Sequence, residues 1–279
     1  MSDPKKVLVV YDLHEKTPEK GEGPSSRIQR YARQIDADAI IHGGDSLYGL
    51  WATKDEDYIF NRMNPKETST AHKWIKNYKT ILDNLSNGNI PVYSIVGNHD
   101  GITHYDDEIF FHEPLGEEIV NSHKEVFSIE KQKESIGDVK IGGVGGCKMI
   151  REGGATPVEY TEIELESYLK KLGEVDILVT HSPPYNTKLD VSRYVFKNDE
   201  EKDKVYENGE VVGVHVGSKS IRKRIESNKP RFSTSGHIHE SLGVDQIGNT
   251  KCINASYEGN NIIGIIDLEK EFIEIKPFN

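Results

Sequence analysis

Short apolar runs separated by polar clusters set the pattern of this chain. Residues 7–11 (VLVVY), 39–41 (AII), 90–96 (IPVYSIV) and 175–179 (VDILV) are too short for helices and read as buried strands. The nearly unbroken apolar character of the first run fits a strand covered on both faces. Between these runs the period changes. Trp74, Ile75, Tyr78, Ile81, Leu82 and Leu85 recur at helical spacing, and Asn87-Gly88 ends that helix. Ile163, Leu165, Tyr168, Leu169 and Leu172 mark another over residues 161–172, opened by a capping box from Thr161 to Glu164. Ser25 or Ser26 is placed to cap a helix running to about Gln34, and residues 218–227 (SKSIRKRIES) predict a short basic helix. Residues 103–118 are acidic and aromatic and read as a short helix. Residues 126–129 and 139–144 read as strands around a turn at Gly137-Asp138. The tail predicts strands at 242–247, 251–254, 262–267 and 272–276. Strand and helix signals alternate without a linker, so a single α/β domain over residues 1–279 is expected. Surface insertions are expected at about 47–68, which is irregular and aromatic, and at 186–213, which carries the charge run KNDEEKDK.

The polar residues just past the strands carry the chemistry. Asp12 and His14 close the first run, Gly43-Gly44-Asp45 the second, and Gly97-Asn98-His99-Asp100 the third. His181 with Ser182-Pro183-Pro184 and Gly236-His237-Ile238-His239 close two later ones. Open α/β sheets put ligand sites at the carboxyl ends of their strands. Two carboxylates, one amide and four imidazoles thus fall where a site would be built. Mixed nitrogen and oxygen donors suit first-row divalent metals; calcium and magnesium prefer oxygen alone. Seven donors exceed the usual four of one zinc and suit two ions sharing a carboxylate. His42, His72, His104, His112, His123 and His215 are read as structural or exposed.

Composition narrows the classes. A formal net charge of −11, with 35% hydrophobic residues, fits a soluble globular protein and argues against a dedicated nucleic-acid binder, although a local basic groove is compatible with it. Cys147 and Cys252 make no disulfide framework and read as buried thiols. No run approaches the ~18 apolar residues of a membrane span. The first residues lack a secretory signal, so a cytoplasmic protein is expected. The sequence is silent on oligomeric state.

Taken in order, Asp12-x-His14, Gly44-Asp45, Gly97-Asn98-His99-Asp100, His181 and Gly236-His237-x-His239 resemble the motifs of the calcineurin-like metallophosphoesterases, and they span most of the chain. The closing motifs look most like the family's small stand-alone phosphoesterases and phosphodiesterases. Tyr11 departs from the small residue many members carry there. The resemblance implies a four-layer α/β sandwich, two packed mixed β-sheets flanked by helices. It implies two divalent transition-metal ions, manganese first, with iron, zinc, nickel or cobalt as alternatives. Asp12, His14 and His239 would hold one ion, Asn98, His181 and His237 the other, and Asp45 would bridge them. A bridging hydroxide would attack a small phosphodiester or phosphomonoester. His99 would act as general acid, with Asp100 orienting its imidazole. A nuclease, or an inactive binding scaffold on the same fold, is the alternative reading.

Overall fold

The apolar runs form strands, and successive side chains of each strand enter different cores. A computed structural model describes residues 4–47, 50–51, 69–106, 109–113, 115–149, 156–196, 202–204, 206–207, 210–257 and 261–278. The two main sheets are built from β1 (Lys6–Val10), β2 (Ala39–His42), β3 (Val92–Ser94), β4 (Val126–Ser128), β5 (Lys133–Ile136) and β6 (Val139–Val144). The chain completes them with β7 (Ile177–Thr180), β8 (Phe232–Ser235), β9 (Gly243–Ile247), β10 (Thr250–Asn254), β11 (Ile262–Asp267) and β12 (Phe272–Pro277). The first sheet has the order β12-β11-β1-β2-β3-β4 and the second β9-β10-β8-β7-β6-β5. Both are mixed: parallel at the centre, with β11 antiparallel to β1 and β9 antiparallel to β10.

The period-2 geometry of a strand separates the layers. Val7 and Val9 of β1, Ile41 of β2, Ile141 of β6, and Ile177 and Val179 of β7 share the core between the sheets. Leu8, Val10 and Ile40 face the other way, into a core with residues of α1 (Gly23–Gln34), α2 (Ser69–Ser86) and α3 (Leu115–Ser122). Leu178 and Cys252 likewise meet α4 (Glu162–Leu172) and α5 (Lys219–Asn228). The result is the four-layer sandwich. Ile41 is fully buried, and truncating such a side chain to alanine costs about 2–5 kcal/mol.

Strand register places the loops. Val10 pairs with His42, and His42 with Ser94, so the polar turns after β1, β2 and β3 leave the sheet side by side. In the second sheet Thr180 pairs with Val144, and Ser235 with Asn254. A parallel bridge from Tyr11 to Ser256 joins the carboxyl edges of the two sheets.

Several local expectations are corrected. Residues 103–118 begin with a hairpin, Ile102–Asp106 against Ile109–Glu113, before α3 starts at Leu115. Isoleucine, threonine and aromatics at these positions favour a pleated strand over a helix. The turn at Gly137-Asp138 joins β6 to β5, an edge strand whose first three residues (KES) are exposed, so its apolar pattern is too weak to read. Helix α1 starts at Gly23, ahead of both serines, and Glu22 at its N-cap gives no side-chain cap. The backbone N–H of Ser25 instead donates to Glu15 Oε2 at 3.1 Å. The capping box of Thr161 with Glu164 forms as expected. In the 186–213 segment Leu189, Asp190 and Ser192 are buried, so that stretch begins inside the packed structure. Most of 47–68 lies outside the described residues. Among the described residues, no helix is long and apolar enough to cross a membrane.

Candidate metal centre

Backbone geometry at the strand ends is unusual for the residue types present. Asp12, His14, Asp45 and His237 have φ of 54°, 43°, 53° and 69°, in the left-handed region that non-glycine residues enter at a cost. The surrounding bonds hold them there. Asp12 N–H donates to Gly44 O at 3.1 Å and His14 N–H to Asp45 O at 3.0 Å, joining the first two loops. The backbone N–H of His237 donates to Asp12 Oδ2 at 2.9 Å, bringing the second sheet's loop onto the first. Tyr11 fixes the floor. Its buried hydroxyl is 2.7 Å from Thr234 Oγ1, and a Cβ on Gly43 would fall 1.8 Å from its ring. A glycine is obligatory there for space alone.

The side chains converge. One donor atom from each of Asp12, His14 and His239 lies within 4.8 Å of the others, and the same holds for Asp12, Asp45 and His181. His181 Nε2 is 2.9 Å from Asn98 Oδ1, 3.3 Å from Asp45 Oδ2 and 3.7 Å from Asp12 Oδ1. Its Nδ1 is 2.8 Å from Gly43 O, a bond that fixes the ring orientation. His239 Nε2 stands 3.6 Å from Asp12 Oδ1, and His14 Nε2 3.8 Å from Asp45 Oδ2. His237 belongs to neither group of three, and its ring centroid lies 5.3 Å from that of His181.

Charge in this site is unbalanced. Burial alone would raise the Asp12 and Asp45 carboxyls, yet the surrounding imidazoles hold both below the usual carboxylate range. Burial alone would lower His181, but the Asp45 and Asp12 carboxylates raise it to about 10. Two buried carboxylates therefore compete for one imidazolium. Burial, with that positive neighbour, pushes His237 down to about 3, leaving a neutral donor ring. Asp12 Oδ1 is buried and has no hydrogen-bond partner among the described residues. A buried carboxylate oxygen without a donor is costly, and coordination to a cation relieves that cost. Carboxylate, amide and neutral imidazole donors around such an atom fit a divalent transition metal.

The calcineurin-like phosphoesterase family model matches residues 5–241. This chain belongs to the calcineurin-like phosphoesterases. An uncharacterized protein of Methanocaldococcus jannaschii is 36% identical over 166 residues, covering 57% of this chain and 65% of that relative. The chain thus spans a little under two thirds of that protein's length. The crystal structure of TT1561 of Thermus thermophilus aligns over 98% of this chain and 99% of its own, with TM-score 0.61 and 16% identity. A second solved chain aligns over 99% of this one with TM-score 0.64 and 17% identity. At such identities these likenesses describe the fold.

Of the expected site residues, Asp12, His14, Asp45, His181 and His239 fall in the two donor groups and Asn98 lies against His181, but Asp100 takes a part other than the expected one. Its Oδ2 accepts from the backbone N–H of Asp45 at 2.9 Å and of Gly97 at 2.7 Å, and its Oδ1 from Ser46 N–H at 3.0 Å. His99 Nδ1 is buried with no hydrogen-bond partner among the described residues, so Asp100 does not orient that ring through it. The carboxylate is committed to backbone donors because it sits beneath two turns that leave those N–H groups unpaired. Burial and the Asp45 charge push the Asp100 carboxyl up. His99 sits at the rim, its ring 5.6 Å from that of His14 and its backbone N–H donating to Asp45 Oδ1 at 2.8 Å.

Other supports lie outside the motifs. Asn254 Nδ2 donates to Leu189 O at 3.1 Å and Ile238 O at 3.0 Å, holding the loop of His237 and His239. It repeats the polar-residue-after-strand pattern and is legible on that ground. Glu130 accepts from Val96 N–H and Gly145 N–H, tying β3's exit to the second sheet. No sequence signal marks it, since its partners are backbone groups from distant strands. His42 is structural as expected, with Nδ1 2.9 Å from Ser94 Oγ and Nε2 3.2 Å from Ser46 Oγ.

Proposed function

We propose that this phosphoesterase hydrolyses a small phosphate monoester or diester with two divalent cations, manganese first among the candidates, and with His99 as general acid. The observation that carries the reading is Asp12 Oδ1, a buried acceptor with no donor within hydrogen-bond distance among the described residues, faced by His239 and His181 nitrogens at 3.6 and 3.7 Å. Asp12, His14 and His239 would hold one cation, Asn98, His181 and His237 the other, and Asp45 would serve both. Bound cations of this kind supply Lewis acidity toward the phosphoryl oxygens and a nucleophilic water at neutral pH.

The chain's own residues then perform the remaining tasks. The ionised Asp12 and Asp45 fix the positive charge at the carboxyl edge of the sheets, where a phosphate dianion would otherwise be repelled. His237, kept neutral by burial, is ready to donate a lone pair. His181 must release its proton to do so, so cation binding should displace a proton from it. His99 is not needed as a donor to the ions. From the rim its imidazole would give a proton to the departing alkoxide, a contribution of roughly 10²–10⁴-fold.

A panel of mono- and diesters assayed on the manganese-loaded protein tests this. With His99→Ala, alkyl esters should lose about 10²-fold or more, and 4-nitrophenyl esters, whose leaving group needs little protonation, far less. No hydrolysis of any ester by the metal-loaded wild type would overturn the proposal. An equal loss on both ester classes would remove His99 as the acid.

A further inference from the structure

Beside His14 the surface opens into a cleft of about 550 Å³ that the chemistry above leaves unused. His14 stands on both sides of the boundary, lining the cleft and belonging to the first donor group. An ester whose phosphoryl group rests at the donor groups would extend one arm into this space.

The cleft's charge runs against that of the chain. The sequence holds 46 acidic and 35 basic residues, yet Lys16 and Arg27 both line this space. Glu15 is the carboxylate there, and it is turned inward, 5% exposed, with Oε2 accepting from Ser25 N–H. Glu15 thereby satisfies the start of α1, so the helix end offers no vacant anion site. Arg27 is different. It is half-buried and makes no ion pair among the described residues. Its Nη2 donates to Tyr257 Oη at 3.0 Å, and that hydroxyl donates onward to Asn261 Oδ1 at 3.0 Å. Tyr257 is 1% exposed, so this relay points the guanidinium while occupying, among the described residues, one of its five N–H donors. A pre-oriented guanidinium with spare donors matches a carboxylate or phosphate bidentately.

We propose that this cleft receives the ester arm of the substrate and that Arg27, oriented by Tyr257, binds a second anionic group on that arm. The substrate class is then a phosphate ester bearing a further carboxylate or phosphate. The assignment rests on the phosphoesterase reading of the adjoining site.

Calorimetric titration of the manganese-loaded full chain tests it with three probes: n-propyl phosphate, 1,3-propanediol bisphosphate and 4-phosphooxybutanoate. The wild type should bind the bisphosphate, the carboxylate probe or both about 10- to 100-fold more tightly than propyl phosphate, the range of a charge-assisted hydrogen bond. The tighter of the two names the anion. In Arg27→Met that preference should fall to near unity, and Arg27→Lys should restore part of it. Thermal melts of each variant report folding, and if Arg27→Met does not fold, Arg27→Gln takes its place. No preference in the wild type, or a preference that survives loss of the guanidinium, overturns the proposal. Turnover is read separately. Protein that binds with this preference but hydrolyses nothing defeats the proposed function alone, whereas hydrolysis without the preference defeats this inference alone.

Discussion

Asp100→Asn removes one formal charge and almost no volume, yet it strikes the point where two site loops meet. In the wild type Oδ2 takes two backbone N–H groups, from Asp45 and Gly97, and Oδ1 takes one from Ser46. The amide can place its oxygen on the double-donor side. Its NH₂ group then faces the Ser46 N–H, so one bond is lost and two donors oppose each other in a fully buried setting. An unsatisfied buried donor costs about 1–3 kcal/mol, and a bond to a charged acceptor contributes about 1.5–3 kcal/mol. Together these give a loss of about 2.5–6 kcal/mol. The assay is urea unfolding with EDTA present, at pH 8, because burial and Asp45 push the Asp100 carboxyl up. With m of about 3 kcal/mol/M, the midpoint should fall by roughly 1–2 M. Manganese affinity should fall as well, since Ser46, next to Asp45, loses its backbone anchor. A midpoint within about 0.2 M of wild type, outside the range derived from these bonds, would refute the reasoning.

Two more outcomes concern buried positions that support the donor cluster. Burial holds the Glu130 carboxyl up at about 7 against an ordinary value of 4.5. The folded state therefore keeps a proton that the unfolded state has released, and stability falls as pH rises from about 4.5 through 7, by roughly 3 kcal/mol once the group is ionised. Urea midpoints from pH 5 to 8 should show this slope in wild type and a flatter one in Glu130→Gln; an identical slope in both would reject the assignment. Gly43→Ala would put a methyl 1.8 Å from the Tyr11 ring. It should cost about 3 kcal/mol or more by overpacking, read as a lowered midpoint or insoluble expression, and near-neutral behaviour would show that the floor of the site can yield.

Much of this architecture is visible before any coordinates. The runs at 7–11 and 39–41 are short and wholly apolar because both faces are covered, and that alone marks them as central. The polar residues after them are legible because nothing in strand physics requires aspartate and histidine where a strand ends. β5 escapes because an edge strand exposes most of its side chains. The hairpin at 102–113 escapes because acidic residues interrupt its apolar and aromatic positions, which do not alternate cleanly. Asp100 is legible as a site residue but not in its role, since a motif fixes its place in the chain and not the backbone donors that fold beneath it. Arg27 and Tyr257 are 230 positions apart, and no local pattern announces that they touch. Composition reports the charge balance of the whole chain and gives no sign of the basic cleft beside His14.

The central claim, that Asp12 and Asp45 gather two cations at the joined edges of the sheets, is tested most directly by counting metal. Protein equilibrated with manganese and freed of excess should hold about two ions per chain, falling to one or none in Asp45→Ala while the variant stays folded, as expected for a carboxylate shared between paired ions. Wild-type protein that retains no manganese, zinc, iron, nickel or cobalt after such treatment would contradict it.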